Sequence, residues 1–137
     1  MTSPISHHEA LLFVMVTMSA ADRQMTDDEL MRIGQIVQTL PVFRDFNENN
    51  LISVAESCGG YLSQEDGLET VLDMVANALP PKLYETAYAV AVEVAAADLH
   101  VEQEELRLLQ MLRDTLDLDK LTVAAIERGA RARHRTI

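Results

Sequence analysis

The stretch AADRQMTDDEL at residues 20–30 recurs 76 positions later as AADLHVEQEEL at residues 96–106. Five of the eleven positions are identical, and Asp28 in the first copy pairs with Glu104 in the second. An apolar segment precedes each copy, and apolar residues three or four positions apart follow it, which is the spacing of one helix face. The sequence therefore predicts the same helix-turn-helix unit twice.

The repeat extends beyond these eleven aligned positions in both directions. It continues backwards to Glu9 with Glu85 and forwards along the helix that follows each turn. The two pseudo-symmetric halves therefore cover about residues 7–40 and 83–116. Because the same residue types form both turns, we expect the two units to superpose.

Helices are expected along almost the whole chain. Proline and glycine are scarce, at four and five residues of 137, and the apolar residues do not alternate as they would in strands. Ser6 with Glu9 and Thr26 with Glu29 have the spacing of capping boxes, which mark helix starts. The predicted fold is all-α, a single domain over residues 1–137. Its seven helices are predicted at about 7–21, 26–40, 48–57, 63–79, 81–97, 102–116 and 120–132.

Two of the predicted helices are apolar on nearly every side. Residues 11–16 contain no polar side chain, and residues 84–97 are apolar on nearly every face except at Glu93. A helix that is apolar all round is usually buried, so we place these two at the centre of the domain. Glu93 then has either a partner inside the protein or a place in a wet cleft, since a buried carboxylate needs one or the other.

The charge is distributed very unevenly. The net charge is −11, from 22 acidic and 11 basic residues. All the acidic residues lie at or before Glu127, so residues 1–127, with seven basic side chains, carry −15. The basic tail, residues 128–137, carries +4 from Arg128, Arg131, Arg133 and Arg135. An acidic body repels nucleic acid and anionic lipid and suits cations or basic partners. The residues after Gly129 have little apolar content and are expected to fray unless they pair with the acidic surface.

No segment predicts a membrane protein or a secreted one. The first apolar run, residues 11–18, is far shorter than the ~20 residues that cross a bilayer, and no Lys or Arg precedes it as in a signal peptide. Cys58 is the only cysteine, so an internal disulfide is impossible. We expect a cytoplasmic protein with no membrane span.

The repeated motif resembles the signature of the TerB-like (tellurite-resistance protein B) family. That signature is an Ala-Ala-Asp followed by an apolar residue, polar residues, an acidic pair and another apolar residue, and it occurs twice in such domains. Here it lies at residues 22–30 and 98–106, and the resemblance covers the whole chain. It implies an all-helical fold of about seven helices and membership of bacterial tellurite and chemical-stress response systems. It also implies a proposed role in binding metal ions.

The two acidic turns are the candidate metal sites. Each has an aspartate at the turn and two acids six and seven positions later, in the first turn of the next helix. The six candidate ligands are Asp22, Asp28, Glu29, Asp98, Glu104 and Glu105. Because the chain reverses there, each set is predicted to converge, and calcium or magnesium prefers such oxygens. His100 adds a nitrogen that would suit zinc or manganese. The resemblance thus implies a divalent metal ion as cofactor, of open identity.

The same acids also have a purely structural explanation. Carboxylates in the first turn of a helix cap its free N–H groups and offset the positive end of its dipole, by ~0.3–1 kcal/mol each. The two explanations differ in geometry. Ligands must face one common point, whereas capping carboxylates turn back to the backbone.

No motif predicts an enzyme. The sequence lacks a Gly-rich phosphate loop, a paired-cysteine motif, a Gly-x-Ser-x-Gly elbow and a His-Glu-x-x-His pair. Two functions from different classes remain. One is an ion-binding stress-response module that uses the acidic turns. The other is a metal-free interaction module that binds an unidentified protein partner.

Overall fold

The computed structural model describes residues 4–20, 25–97 and 103–137. For Ala97 only the backbone is described. Within these ranges all regular structure is helical, which confirms the all-α prediction. The seven α-helices are α1 His7–Ser19, α2 Asp27–Thr39, α3 Leu51–Leu62, α4 Gly67–Ala78, α5 Tyr84–Ala97, α6 Gln103–Leu116 and α7 Lys120–Arg133. Three short 3-10 turns, Pro41–Phe43, Glu48–Asn50 and Pro81–Leu83, precede α3 or α5. The equivalence of the two halves stays a prediction, because both connecting turns lie outside the described ranges.

The first helix begins where its capping box predicts. Ser6 Oγ accepts a hydrogen bond from Glu9 N at 3.1 Å, and Glu9 Oε1 accepts one from Ser6 N at 3.0 Å. Two backbone donors that have no partner within the helix are thereby satisfied. This start is set by residues three positions apart, so the local sequence is enough to predict it.

The start of α4 differs from the sequence prediction. The capping pattern predicts that Ser63 opens this helix, but Ser63 ends α3 instead, and its hydroxyl donates to Gly60 O at 2.8 Å. The helix begins at Gly67, after Asp66 in the left-handed backbone region with φ 60°. A Cβ at position 67 would lie 2.3 Å from Tyr61 O, so only glycine fits this close approach between the two helices.

The first helix lies at the centre of the domain, as predicted. It packs against α2, α3, α4 and α5, and every side chain from Ala10 to Ser19 is buried. Where α3 packs on this helix, the thiol of Cys58 lies 3.8 Å from both Thr17 Oγ1 and Phe13 O. Burial raises the pKa of Cys58 to about 11, so the thiol stays protonated and acts as a core side chain.

The second apolar helix, α5, also lies in the core but is covered differently. It packs against α1 on one side and against α6 and α7 on the other. Its inward residues Ala87, Tyr88 and Ala91 are fully buried. The central positions predicted for α1 and α5 are therefore confirmed. Of these two helices, α5 contributes polar side chains to its contacts with α6 and α7.

The residues next to the helix end meet the exception in the tail prediction, because they pair with an acidic side chain. The seventh helix runs to Arg133, where Arg133 Nη2 donates to Glu93 Oε2 at 2.7 Å and His134 Nε2 donates to Glu93 Oε1 at 2.7 Å. Desolvation alone would raise the pKa of Glu93, but these two hydrogen bonds outweigh it and lower that pKa. Glu93 thus has partners, and they anchor the last turn of α7.

None of the helices in the described part of the chain combines the length and the apolar composition that a membrane crossing needs.

Candidate functional site

The six predicted metal ligands fall partly inside and partly outside the described ranges. Asp22 and Asp98, the turn residue of each copy, lie outside them, as does His100. The other four, Asp28, Glu29, Glu104 and Glu105, lie in the first turns of α2 and α6. Among described residues, no group of three His, Cys, Asp or Glu side chains is arranged to hold a metal ion. Convergence at the two turns therefore stays a prediction.

In the first copy Glu29 belongs to a capping box. Its Oε1 accepts from Thr26 N at 2.8 Å, while Thr26 Oγ1 accepts from Glu29 N at 3.2 Å. This is the arrangement that the structural explanation of the acids predicts. Asp28 beside it is exposed.

In the second copy the acidic pair divides between solvent and core. Glu104 is exposed, whereas Glu105 retains 6% of its surface. Burial of a carboxylate is rare without compensating interactions, so this end of α6 is a polar site within the fold. The repeat in sequence thus places Glu29 and Glu105 at matched positions with different exposure.

A partly buried polar cluster that the sequence did not predict joins the last three helices. The hydroxyl of Tyr88, a fully buried residue of α5, donates to Glu127 Oε2 on α7. Arg113 Nη1 on α6 donates to that hydroxyl at 3.0 Å and lies 3.4 Å from Glu127 Oε2. Burial, and then the bond to Glu127, raises the pKa of Tyr88 to about 12. A tyrosine within an otherwise apolar helix was the only signal in the sequence.

A groove of about 620 Å³ opens between α6 and α7 over α5. Both flanking helices pack on α5 but have little contact with one another, which leaves the space between them open. Val92, Ala95 and Ala96 of α5, with Ala130 of α7, form an apolar floor. Three of these four residues are alanines, so a bound group can approach the backbone closely. The volume lies in the range typical of binding pockets.

The two walls of the groove differ in charge. The α6 wall consists of Leu106, Leu109, Gln110 and Arg113, and Leu106 is 53% exposed. The α7 wall carries Glu127, Arg131 and, at the helix end, His134 and Arg135. Arg113 and Glu127 pair with each other at 3.4 Å, so the charges of the groove that remain exposed are the two arginines of the α7 wall.

Two of these basic side chains are available to a ligand. Arg133 and His134 are held by Glu93, and Arg113 is held by Tyr88 and Glu127. Arg131 and Arg135 are exposed and have no ion-pair partner among the described residues. The groove thus places unpaired positive charge beside an apolar floor in a protein whose net charge is −11.

A smaller groove of about 530 Å³ lies between α2 and α3. Met31 and Ile52, 63% and 60% exposed, lie at its surface beside Asp27 and Glu48. Its charged groups are acidic, so it matches the rest of the protein surface rather than contrasting with it.

Comparison with known proteins identifies one family. The family described as tellurite resistance protein TerB matches residues 8–128. This range begins in α1, includes α2 to α6 and ends within α7. No curated protein and no solved structure matches the chain.

Proposed function

Because this chain belongs to the TerB family, we propose that it serves as the TerB module of a tellurite and chemical-stress response and acts by binding another protein. In this proposal the module works in the cytoplasm and is not an enzyme. The groove on α5 is its docking surface. The acidic turns are a second, separate candidate site.

The observation that carries the proposal is the groove between α6 and α7. Leu106 is a large apolar side chain with half its surface exposed at the rim, and the apolar floor lies directly below. Protein interfaces combine such an apolar centre with a polar rim, and arginine is enriched in them. Arg131 and Arg135 supply that rim.

Site-specific photo-crosslinking in cells tests this proposal. A photoreactive amino acid at position 106 is expected to give a discrete crosslink to another protein during tellurite stress. Position 121 is the matched control, because Leu121 is 81% exposed but lies outside the groove. Absence of any protein crosslink at 106, or equal crosslinking at 121, would reject the groove as the docking surface.

The repeated acidic turns support a second candidate function, the binding of a divalent cation. The observation in its favour is the recurrence of an aspartate followed by an acidic pair six and seven positions later. Carboxylate oxygens are the ligands that calcium and magnesium prefer. Asp22 and Asp98 would supply further oxygen ligands, one in each turn.

Calorimetric titration with calcium, magnesium, manganese and zinc tests the cation hypothesis. Binding heat that disappears in an Asp22→Asn, Asp98→Asn double variant is the expected result. Asp73→Asn is a suitable control, since Asp73 lies on α4, away from both turns in the sequence. A response that is unchanged in the double variant would end the metal hypothesis and leave protein binding as the function.

A further inference from the structure

We infer that the groove on α5 binds an acidic amphipathic helix, with its carboxylates along one flank only. This inference rests on the proposed function, that the groove binds a protein, and names the chemistry of the partner. Shape, apolar content and charge lead to it independently.

The shape of the groove matches a helix. On α6 the lining residues Leu106, Leu109, Gln110 and Arg113 follow the spacing i, i+3, i+4, i+7 of a single helix face. The α7 wall has the same spacing from Glu127 to His134. Each wall is therefore a ridge of two turns, roughly 10 Å long, and the two ridges meet at one end, where Arg113 Nη1 lies 3.4 Å from Glu127 Oε2. A third helix would enter from the opposite end, at Leu106 and His134, and pack against both ridges.

The floor sets the apolar face of the partner. Ala95 and Ala130 retain only 3% and 1% of their surface, so a bound helix would contact the floor at the partly exposed Ala96 and the rim at Leu106, which is 53% exposed. Larger aliphatic residues from the partner would then fill the groove between these two contacts. A helix offers these residues at i, i+3 or i+4 and i+7, as in other helix-in-groove complexes.

The walls set the position of the charges. Arg131 and Arg135 are one helical turn apart on the α7 side, and neither has an ion-pair partner among the residues described. Among the described residues that line the opposite wall, the only charged side chain, Arg113, is already bonded to Tyr88 and Glu127. A partner therefore gains from carboxylates beside α7, whereas carboxylates beside α6 would meet no free cation.

Selection from a displayed peptide library tests the inference although the partner itself is unidentified. The library consists of displayed peptides of about 14 residues, long enough for four helical turns, randomised at every position. The full chain and the Arg131→Glu, Arg135→Glu double variant are used as two separate baits. We expect enriched peptides to have aliphatic residues at i, i+3 or i+4 and i+7 and Asp or Glu on one side of that stripe.

Fluorescence anisotropy with the most enriched peptide then measures each contribution. Replacing its acids by Gln, or replacing Arg131 and Arg135 by Glu, is expected to weaken binding by roughly tenfold or more, because close charge pairs at interfaces carry energies of that order. Arg128→Glu makes the same charge change on an exposed residue of α7 outside the groove and is expected to have little effect. Circular dichroism checks that each variant is folded.

Three results would overturn the inference. The first is enrichment of neutral or basic peptides, and the second is equal loss of binding in Arg128→Glu. The third is the absence of any enriched peptide while dodecanoate binds saturably, which would assign the groove to an anionic lipid. The proposed function is tested separately. A protein crosslink at position 106 together with any of these results retains protein binding and rejects only the acidic helix.

Discussion

The helices α1 and α5 are similar in sequence character, yet the fold covers them to different extents. Both are apolar on nearly all sides, and both lie in the core. The first is enclosed by α2, α3, α4 and α5, and no side chain from Ala10 to Ser19 is exposed. On its other side α5 packs against α6 and α7, and a groove of about 620 Å³ lies between those two helices.

This difference shows where a binding surface can arise in an all-helical domain. A helix enclosed on all sides contributes only to stability. A helix covered by two neighbours with a groove between them leaves room for another chain, although Val92 and Ala95 at the base of this groove retain only 6% and 3% of their surface. The exposed apolar side chain at the groove is Leu106, and Arg131 and Arg135 lie on the other wall of the groove in a molecule whose net charge is −11.

The largest effect is expected from a truncation in α1. Phe13 has no exposed surface, so Phe13→Ala should lower the free energy of unfolding by about 3–5 kcal/mol. Urea denaturation followed by circular dichroism measures this loss. The matched change in the groove, Leu106→Ala, should cost less than about 1 kcal/mol, because half of Leu106 is already in water. Equal losses at the two positions would remove the distinction between an enclosed helix and a partly covered one.

A smaller effect is expected where α5 meets α6 and α7. Tyr88→Phe removes the hydroxyl that accepts from Arg113 and donates to Glu127 but leaves the ring in place. The expected loss is about 1–2 kcal/mol of unfolding free energy, the cost of a buried hydrogen bond to a charged group. Tyr61→Phe on α3 is a control, since that ring is only partly buried and packs at the edge of the core. A Tyr88→Phe protein as stable as the original would show that the cluster does not stabilise the packing of α5 against α6 and α7.

These two positions also show how far the sequence alone leads. The apolar pattern placed α1 and α5 in the core because burial of an apolar helix follows from its composition. It did not reveal the cluster of Tyr88, Arg113 and Glu127, whose members lie on three different helices. The start of α4 was misplaced for a related reason. Its position depends on the close approach of Gly67 to the end of α3, a tertiary contact that capping patterns do not encode.

The candidate sites also differ in whether the local sequence is enough to predict them. Glu29 was predicted to lie at the start of α2, and its capping role depends on Thr26 three positions away. The groove has no local signal, because its floor and walls come from separate helices. Pairing of the tail with acidic surface was foreseen, but Glu93 was not identified as the partner, since Glu93 and Arg133 are forty positions apart in the chain.

An effect that depends on pH is expected at the end of α7. Hydrogen bonds from Arg133 and His134 lower the pKa of Glu93 from its ordinary value of 4.5, so the anchor stabilises the fold above that pH. The contribution is lost as the pH falls below 4.5 through the lowered pKa and the carboxylate is protonated. Glu93→Gln should therefore cost about 1 kcal/mol at pH 7 and much less at pH 3.

Thermal unfolding at the two pH values measures this difference. Asp119 is unsuitable as a control because its own pKa is lowered by bonds from Thr122, so the exposed Glu56 is the better choice for a matched Gln substitution. A Glu93→Gln loss that is equal at both pH values would mean that the charge of Glu93 does not hold the end of α7.

The smallest effect on stability is expected at the rim of the groove. Arg131→Glu and Arg135→Glu change exposed side chains without ion-pair partners among the described residues, so together they should alter the free energy of unfolding by less than about 1 kcal/mol. Urea denaturation measures this. A large loss would mean that these arginines serve the fold, and their use as ligand-binding groups would then be untenable.

Survival of cells in tellurite tests the central claim most directly, because it asks whether the open side of α5 is where the module acts. The chain, its Arg131→Glu, Arg135→Glu double variant and its Arg128→Glu control are expressed at equal levels in a tellurite-sensitive strain that lacks a TerB-family protein. We predict that the original chain and the Arg128→Glu control protect the cells and that the double variant does not, although it is folded. Full protection by the double variant would contradict the account.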